Sequence, residues 1–240
     1  MTESVVRIAS IYPTLLGTYG DGGNVLALVH RAVLHGLTTE VVDVAPGEHL
    51  PRDADLYVLG GGEDTAQVAA ADALRADGGL HQAVNRGAAV LAICAGYQLI
   101  GHEFPDATGA ASPGVGILDI RTDRLPKRAV GELLAKPDSQ APAAMTDLLT
   151  GYENHAGATH LGPDARPLAQ VEFGVGNGDG SEGAISGQVL GTYLHGPCLA
   201  RNPQVADVLL GWVVGENLPN LVEREVEELR AERLEFVRRS

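Results

Sequence analysis

Residues 88–99 read Ala-Ala-Val-Leu-Ala-Ile-Cys94-Ala95-Gly96-Tyr97-Gln98-Leu99. Six apolar residues lead into Cys94 without a polar break. A short continuous apolar run with helical residues on both sides predicts a strand buried on both faces, as in a parallel sheet. The residues after Cys94 predict a helix that starts at the turn itself. Ala92 and Gly96 stand two positions either side of the cysteine, where the tight turn that presents a nucleophile needs small residues. Glycine is the usual residue at the first of those places.

Working outward, the first half of the chain repeats this alternation. Val5–Tyr12, Thr38–Val44 and Leu56–Leu59 predict strands, the last ending in Gly60-Gly61-Gly62. Helices are predicted between them over Asn24–His35, stopped by Gly36, and over 65–77. Strands separated by such helices predict βαβ units. After about residue 112 the connections shorten, and Gly116–Thr122, Ala129–Ala135, Thr150–His155 and Leu168–Phe173 predict a more antiparallel set. Gly191–Leu194 predicts a returning strand, and Asn202–Gly215 and Leu218–Arg239 predict helices. The expected fold class is α/β: a mostly parallel central sheet flanked by helices, with a β-rich insertion. No linker or internal repeat divides the chain, so residues 1–240 are expected to form a single domain.

The 240 residues carry 17 basic and 31 acidic side chains, a net charge of −14. That balance argues against nucleic acid or an anionic membrane as the main partner, since both attract basic faces. No run approaches the 18 or so apolar residues of a transmembrane helix. No secretory leader pattern opens the chain, and the two cysteines, Cys94 and Cys198, fit a reducing cytoplasm.

Two segments carry less information. Gly174–Gly183 (GVGNGDGSEG) lacks the pattern of a phosphate-binding loop and predicts a mobile hairpin or loop. In the last helix Val222, Val226, Leu229 and Phe236 share one face, interrupted by Arg233, and are expected to pack on the chain's own core.

Chemistry concentrates at Cys94. A cysteine at a helix N-terminus lies near unpaired backbone N–H groups and the positive end of the helix dipole, which favour thiolate. The Ala95 amide would then face an oxyanion formed on an attacked carbonyl. A buried cysteine acting as a small hydrophobe is the competing reading, and on the turn alone the two weigh equally. His195 tips the balance: in Gly191-Thr-Tyr-Leu-His195-Gly196-Pro197 it directly follows a predicted strand, where it can serve a thiol as general base and a leaving amine as general acid. The Gly60–Gly62 turn can present further backbone donors. His155 and His160 lack metal-type spacing, His102-Glu103 does not continue to HExxH, and no metal is expected. Cys198 lacks the turn context and reads as structural.

These residues resemble the class I glutamine amidotransferase family in its cobyric-acid-synthase-like branch, and within that branch the glutaminase subunits of lipid II isoglutaminyl synthase. The matching segments are Tyr12–Leu16 with Thr18–Asn24, Gly60–Asp64 through Gln67, Cys94–Gln98, Lys127–Gly131, Gly151–Gly157, and Gly191–Pro197 with Ala200–Pro203. The resemblance implies hydrolysis of L-glutamine to glutamate and ammonia, with Cys94 as nucleophile and His195 as general base and acid. It implies that Arg128 holds the substrate, since a guanidinium fork suits an α-carboxylate. It further implies that Gln98 lines the glutamine pocket and that Gly61, Gly62 and Ala95 form the oxyanion hole. Ammonia would pass to a MurT-type, Mur-ligase-like subunit that uses ATP to amidate D-glutamate of lipid II to D-isoglutamine. No cofactor is implied for this chain, which has no P-loop to activate a carboxylate itself. A glutaminase for another acceptor, such as a corrinoid, and a catalytically silent interaction subunit are the alternatives.

One departure stands out. Many class I amidotransferases place a glutamate two residues after the histidine, whereas His195 is followed by Gly196-Pro197-Cys198. Three sources are open: another carboxylate of this chain, an acid from a partner, or no acid at all in a working dyad; the expectation adopted is that the partner contributes.

Overall fold

The computed structural model describes residues 5–17 and 20–239, so Thr18 and Tyr19 of the glycine-rich N-terminal motif and the first four residues lie outside the described residues. The chain runs β1 (Val5–Ile11), α1 (Gly22–Leu34), β2 (Thr38–Val44), β3 (Leu56–Leu59), α2 (Asp64–Asp77), α3 (Gly79–Asn85), β4 (Ala89–Ile93) and the short α4 (Ala95–Leu99). There follow β5 (Glu103–Pro105), β6 (Ala111–Pro113), β7 (Ile120–Pro137), β8 (Leu149–Leu161), β9 (Ala169–Phe173), β10 (Ser181–Glu182), β11 (Ala184–Ser186) and β12 (Val189–Thr192). Three helices close the chain: α5 (Cys198–Arg201), α6 (Pro203–Val214) and α7 (Arg224–Arg239).

Six strands form the first sheet in the order β11-β12-β4-β3-β1-β2. All neighbours in it pair in parallel except β11 with β12. Every residue of β3 and β4 is buried. This is why they read as unbroken apolar runs: helices cover a parallel sheet on both faces, leaving no face for polar side chains. The helix α1 packs against α5 and α6, and α2 against α3 and α4. Gly78, at φ +65°, ends α2 in the left-handed conformation that a residue with a Cβ resists. No described helix is long and apolar enough to cross a membrane.

The second sheet runs β10-β9-β7-β5-β6, with β8 paired antiparallel to β7. It is the β-rich insertion. The strand expected at Gly116–Thr122 begins only at Ile120, and it runs on through the one expected at Ala129–Ala135 as a single long strand, β7, whose register against β8 shifts between Arg124 and Ala129. Bulges of this kind bend a strand and re-aim side chains beside functional sites. The shift falls on the segment holding Lys127 and Arg128. One continuous hydrophobic core joins both sheets, from Leu91 and Leu194 to Phe104, Leu133 and Leu149.

Two further expectations change. The glycine-rich segment is bound into the protein, because the Glu153 carboxylate accepts the Val175 and Gly176 amides at 2.9 Å each. Asn177 within it is buried, accepts the Tyr97 hydroxyl at 3.2 Å and donates to the Gly183 carbonyl at 2.9 Å. Its consecutive amides therefore cradle an anion, but an internal carboxylate. The last helix begins at Arg224 and docks through Arg230 and Val237, leaving Leu229 and Phe236 43% and 57% exposed. The reason is polar: the Arg230 guanidinium donates to the carbonyls of Arg201 and Leu148. Those bonds rotate the helix away from its apolar stripe.

Candidate active site

Four segments converge at the carboxyl ends of parallel strands, where open α/β sheets place their ligands. Cys94 follows β4, Gly60–Gly62 follow β3, His195 comes just after β12, and Asp21 lies on the connection from β1 to α1.

Cys94 takes φ +51° and ψ −104°, a conformation that non-glycine residues avoid. The turn is held on both sides. The Cys94 amide donates to the Thr192 carbonyl at 2.9 Å, and the Gly96 amide to the Gly60 carbonyl at 3.1 Å. A Cβ at Gly96 would come within 2.9 Å of the carbonyl oxygens of Leu59 and Gly60, so only glycine lets the turn seat so close to β3.

The His195 ring is buried between two partners. Its Nδ1 lies 3.2 Å from Asp21 Oδ1, and Cys94 adjoins the same ring at Gly61, where an added Cβ would meet His195 Cε1 and Cys94 Cβ together. Because a carboxylate only accepts, Nδ1 is the protonated nitrogen in this contact. Burial pulls the His195 pKa down, but the hydrogen bonds to Asp21 and Cys94, together with their charges, outweigh it and hold the pKa up to about 10. Asp21 therefore stands at the ring nitrogen where a partner's acid was expected. The carboxylate comes from this chain, from the turn-rich segment that follows β1.

Asp21 does a second thing. Its Oδ2 accepts the Gly61 amide at 2.7 Å. That corrects the expected oxyanion hole, since the Gly61 N–H is directed at Asp21. Gly62 and Ala95 do line the cleft beside Cys94. What Gly61 contributes is space: a Cβ there would meet His195 Cε1 at 2.9 Å, Asp21 Oδ2 at 3.0 Å and Cys94 Cβ at 3.4 Å. Gly61→Ala is expected to leave the fold standing, displace the histidine and lower kcat of glutamine hydrolysis by roughly tenfold or more, as angstrom-scale misplacement does. Steady-state ammonia release by the purified variant, with circular dichroism as a check on folding, measures this.

The cleft above Cys94 holds about 120 Å³. Arg128 reaches it from the register shift in β7, its Nε donating to Asn154 Oδ1 at 2.7 Å and its Nη2 to the Asn154 carbonyl at 3.4 Å. That same carbonyl lies 3.9 Å from Cys94 Sγ, so Asn154 links the arginine to the thiol. Gln98 also lines the cleft, with its amide already fixed: its Oε1 accepts from Gln67 at 3.0 Å and its Nε2 donates to the Tyr193 hydroxyl at 3.2 Å. It shapes an uncharged floor. Cys198 is wholly buried and its thiol is pushed up to about 12 by burial, which agrees with a structural role. Among the described residues no group of three or more His, Cys, Asp or Glu is placed to hold a metal.

Asp21 and Asn154 are the residues that reading the sequence missed. Both lie inside motifs quoted above, but only the fold brings them to Cys94. The position of Asp21 directly before α1, at the end of the connection from β1, was the available signal.

Comparisons with known proteins agree with this geometry. Residues 7–203 match the model of a CobB/CobQ-like glutamine amidotransferase domain. The chain is 35% identical over 199 residues to the lipid II isoglutaminyl synthase (glutamine-hydrolyzing) subunit GatD of Staphylococcus aureus, covering 81% of this chain and 79% of that protein. It is 34% identical over 206 residues to the subunit of the same name from Streptococcus pneumoniae, covering 84% and 77%. Among solved structures, a glutamine amidotransferase from Thermotoga maritima superposes with a TM-score of 0.56 at 17% identity, covering 97% of this chain and 95% of that one.

Proposed function

Because the chain belongs to the CobB/CobQ-like glutamine amidotransferase family, we propose that it is the glutaminase subunit of a lipid II isoglutaminyl synthase. In this reading it supplies ammonia to a MurT-type ligase subunit. That partner consumes ATP to activate the D-glutamate carboxylate of lipid II, and ammonia converts it to D-isoglutamine in the building of peptidoglycan, in the cytoplasm. The chain itself uses no cofactor.

The observation that carries the reading is the convergence of Cys94, His195 and Asp21 around Gly61 beneath the cleft that Cys94 lines. The Cys94 sulfur attacks the side-chain amide carbon of glutamine, and the oxyanion takes hydrogen bonds from the Gly62 and Ala95 amides. The C–N bond breaks as His195 hands its proton to departing ammonia, leaving a γ-glutamyl thioester on Cys94. His195 then takes a proton from water, whose oxygen attacks the thioester carbon and releases glutamate and the thiol. Asp21 holds the imidazole through Nδ1, so that the same ring can serve both steps. Arg128 takes the substrate α-carboxylate.

Ammonia release from L-glutamine, measured on the chain alone and with the MurT-type subunit, tests this. Glutamine hydrolysis whose ammonia appears as an amide on lipid II when ligase and ATP are present is the expected result. No hydrolysis under any of these conditions, from folded protein, overturns it.

A further inference from the structure

Glu182 lies wholly buried on β10, in the second sheet, and turns its carboxylate toward the first. Its Oε1 accepts the Thr192 hydroxyl and, at 3.0 Å, the Tyr193 amide. The Thr192 hydroxyl oxygen in turn accepts the Leu194 amide at 3.1 Å. One acid thereby fixes the three residues that lead from β12 into His195. The second sheet also holds His195 itself: the main chains of His195 and Tyr152, on β8, exchange N–H···O bonds at 2.9 and 3.2 Å. Asp21 orients the ring of the histidine from the first sheet, and its main chain is set from the second.

Glu182 is itself anchored. The Leu168 amide donates to its carbonyl at 3.1 Å, and Asn177 Nδ2 donates to the next carbonyl, of Gly183, at 2.9 Å. A Cβ at Gly183 would meet the Gly191 carbonyl oxygen at 2.6 Å, so only glycine lets this turn close on β12. Burying an acid is costly unless a cation compensates it. The ionisable groups that share a field with Glu182 are Glu153 on β8, Tyr97 on α4, Tyr193 after β12 and Cys198 on α5, and none of these is a cation. Burial, with the Glu153 charge, raises its pKa to about 7. Its Oε2 has no hydrogen-bond partner among the described residues, so that oxygen can carry the proton while Oε1 goes on accepting. The hold lies in the acceptor oxygen rather than in the charge.

Building on the glutaminase reading above, we propose that Glu182 is a positioning residue of that reaction: through Thr192, Tyr193 and Leu194 it sets where His195 stands between Cys94 and Asp21. A Glu182 that merely satisfied two buried donors would change stability and leave the chemistry of a folded site alone.

The test is ammonia release from L-glutamine across pH, with the ligase subunit added to every sample, for two variants. Glu182→Met keeps the volume and removes the acceptor; Glu182→Gln keeps the acceptor and removes the charge. Glu182→Met is expected to lower kcat by roughly tenfold to a hundredfold, as misplacement of a catalytic group does. It should also bring the alkaline limb of kcat/KM toward neutral pH, because His195 Nδ1 moves away from Asp21. Glu182→Gln should stay near the wild type in both. Loss of folded protein alone lowers kcat and leaves the limb in place. A wild-type limb in Glu182→Met, or a Glu182→Gln shifted as far as Glu182→Met, overturns the proposal, the second by assigning the effect to charge. Should Glu182→Met not fold, Thr192→Val decides, since it breaks the same chain of bonds with no change of charge: the same fall and shift are expected, and a wild-type rate and limb overturn the assignment. A wild-type chain that releases no ammonia would instead remove the glutaminase reading on which the proposal rests.

Discussion

Cys94→Ala should release no ammonia from L-glutamine, in a chain that folds as the wild type does. Loss of a nucleophile that works as a unit with its base costs on the order of 10⁶-fold in kcat, which places the variant below detection. The fold survives because the side chain contributes little to the core besides its β-carbon and one sulfur. The backbone of residue 94 adds a second, independent signature. At φ +51° any residue with a Cβ is strained, by roughly 1–3 kcal/mol, and alanine keeps that strain. Cys94→Gly removes it. The glycine variant should therefore melt above the alanine variant, by about 1 kcal/mol in stability, reversing the usual order of the two residues. Denaturant unfolding of the pair decides whether the turn is strained; a glycine variant less stable than the alanine one would mean that it is not. A thiol reagent at neutral pH should label Cys94 in the wild type and spare Cys198, whose thiol burial holds up to about 12.

Asp21→Asn should cost on the order of 10²- to 10⁴-fold in kcat, and the reason is a donor count. Asp21 accepts at both oxygens, from His195 Nδ1 and from the Gly61 amide. Asparagine has one carbonyl oxygen and one NH2 group. If the oxygen faces His195, the NH2 group opposes the Gly61 N–H and leaves a buried donor unmatched. If the side chain flips, its NH2 group donates to Nδ1 and selects the wrong tautomer of the catalytic ring, the change that costs about 10⁴-fold in a serine triad. The pH profile separates this role from a merely structural one. Asp21 and Cys94 raise the His195 pKa to about 10 against the pull of burial, so the imidazolium is present at neutral pH and is lost as pH rises through that value. Without the Asp21 charge the pKa falls, and the alkaline limb of kcat/KM should move toward neutral pH. An unshifted alkaline limb, whatever the loss in rate, would show that Asp21 does not act through His195. The same result would reopen the case for an acid supplied by the ligase subunit.

The two halves of the molecule differed in how far they could be read from residue order. At the centre of the parallel sheet, burial on both faces forces continuous apolar runs, so Leu56–Leu59 and Ala89–Ile93 stand where such runs predict them. In the second sheet the segment from Ile120 to Ala135 looked like two strands because the proline and basic residues of Arg124 to Arg128 interrupt the apolar pattern. A bulged strand carries such a stretch through the ladder, and no local pattern marks that. The α7 face failed for a related reason: helical periodicity counts apolar residues, while three buried carbonyl and amide acceptors at the base of β8 and α5 decided that Arg230 turns inward.

The site divides along the same line. Cys94 and His195 were legible from sequence because each sits at a strand end whose own neighbours carry the signal: small residues around a tight turn in one case, a terminal strand in the other. These are local steric requirements, and they hold wherever the rest of the chain goes. The placement of Asp21 and Asn154 and the space that Gly61 leaves were decided only by the tertiary structure. A carboxylate 174 residues away from its histidine, and a glycine needed because three side chains meet on it, are facts about packing between segments, and residue order alone does not encode which distant segments meet.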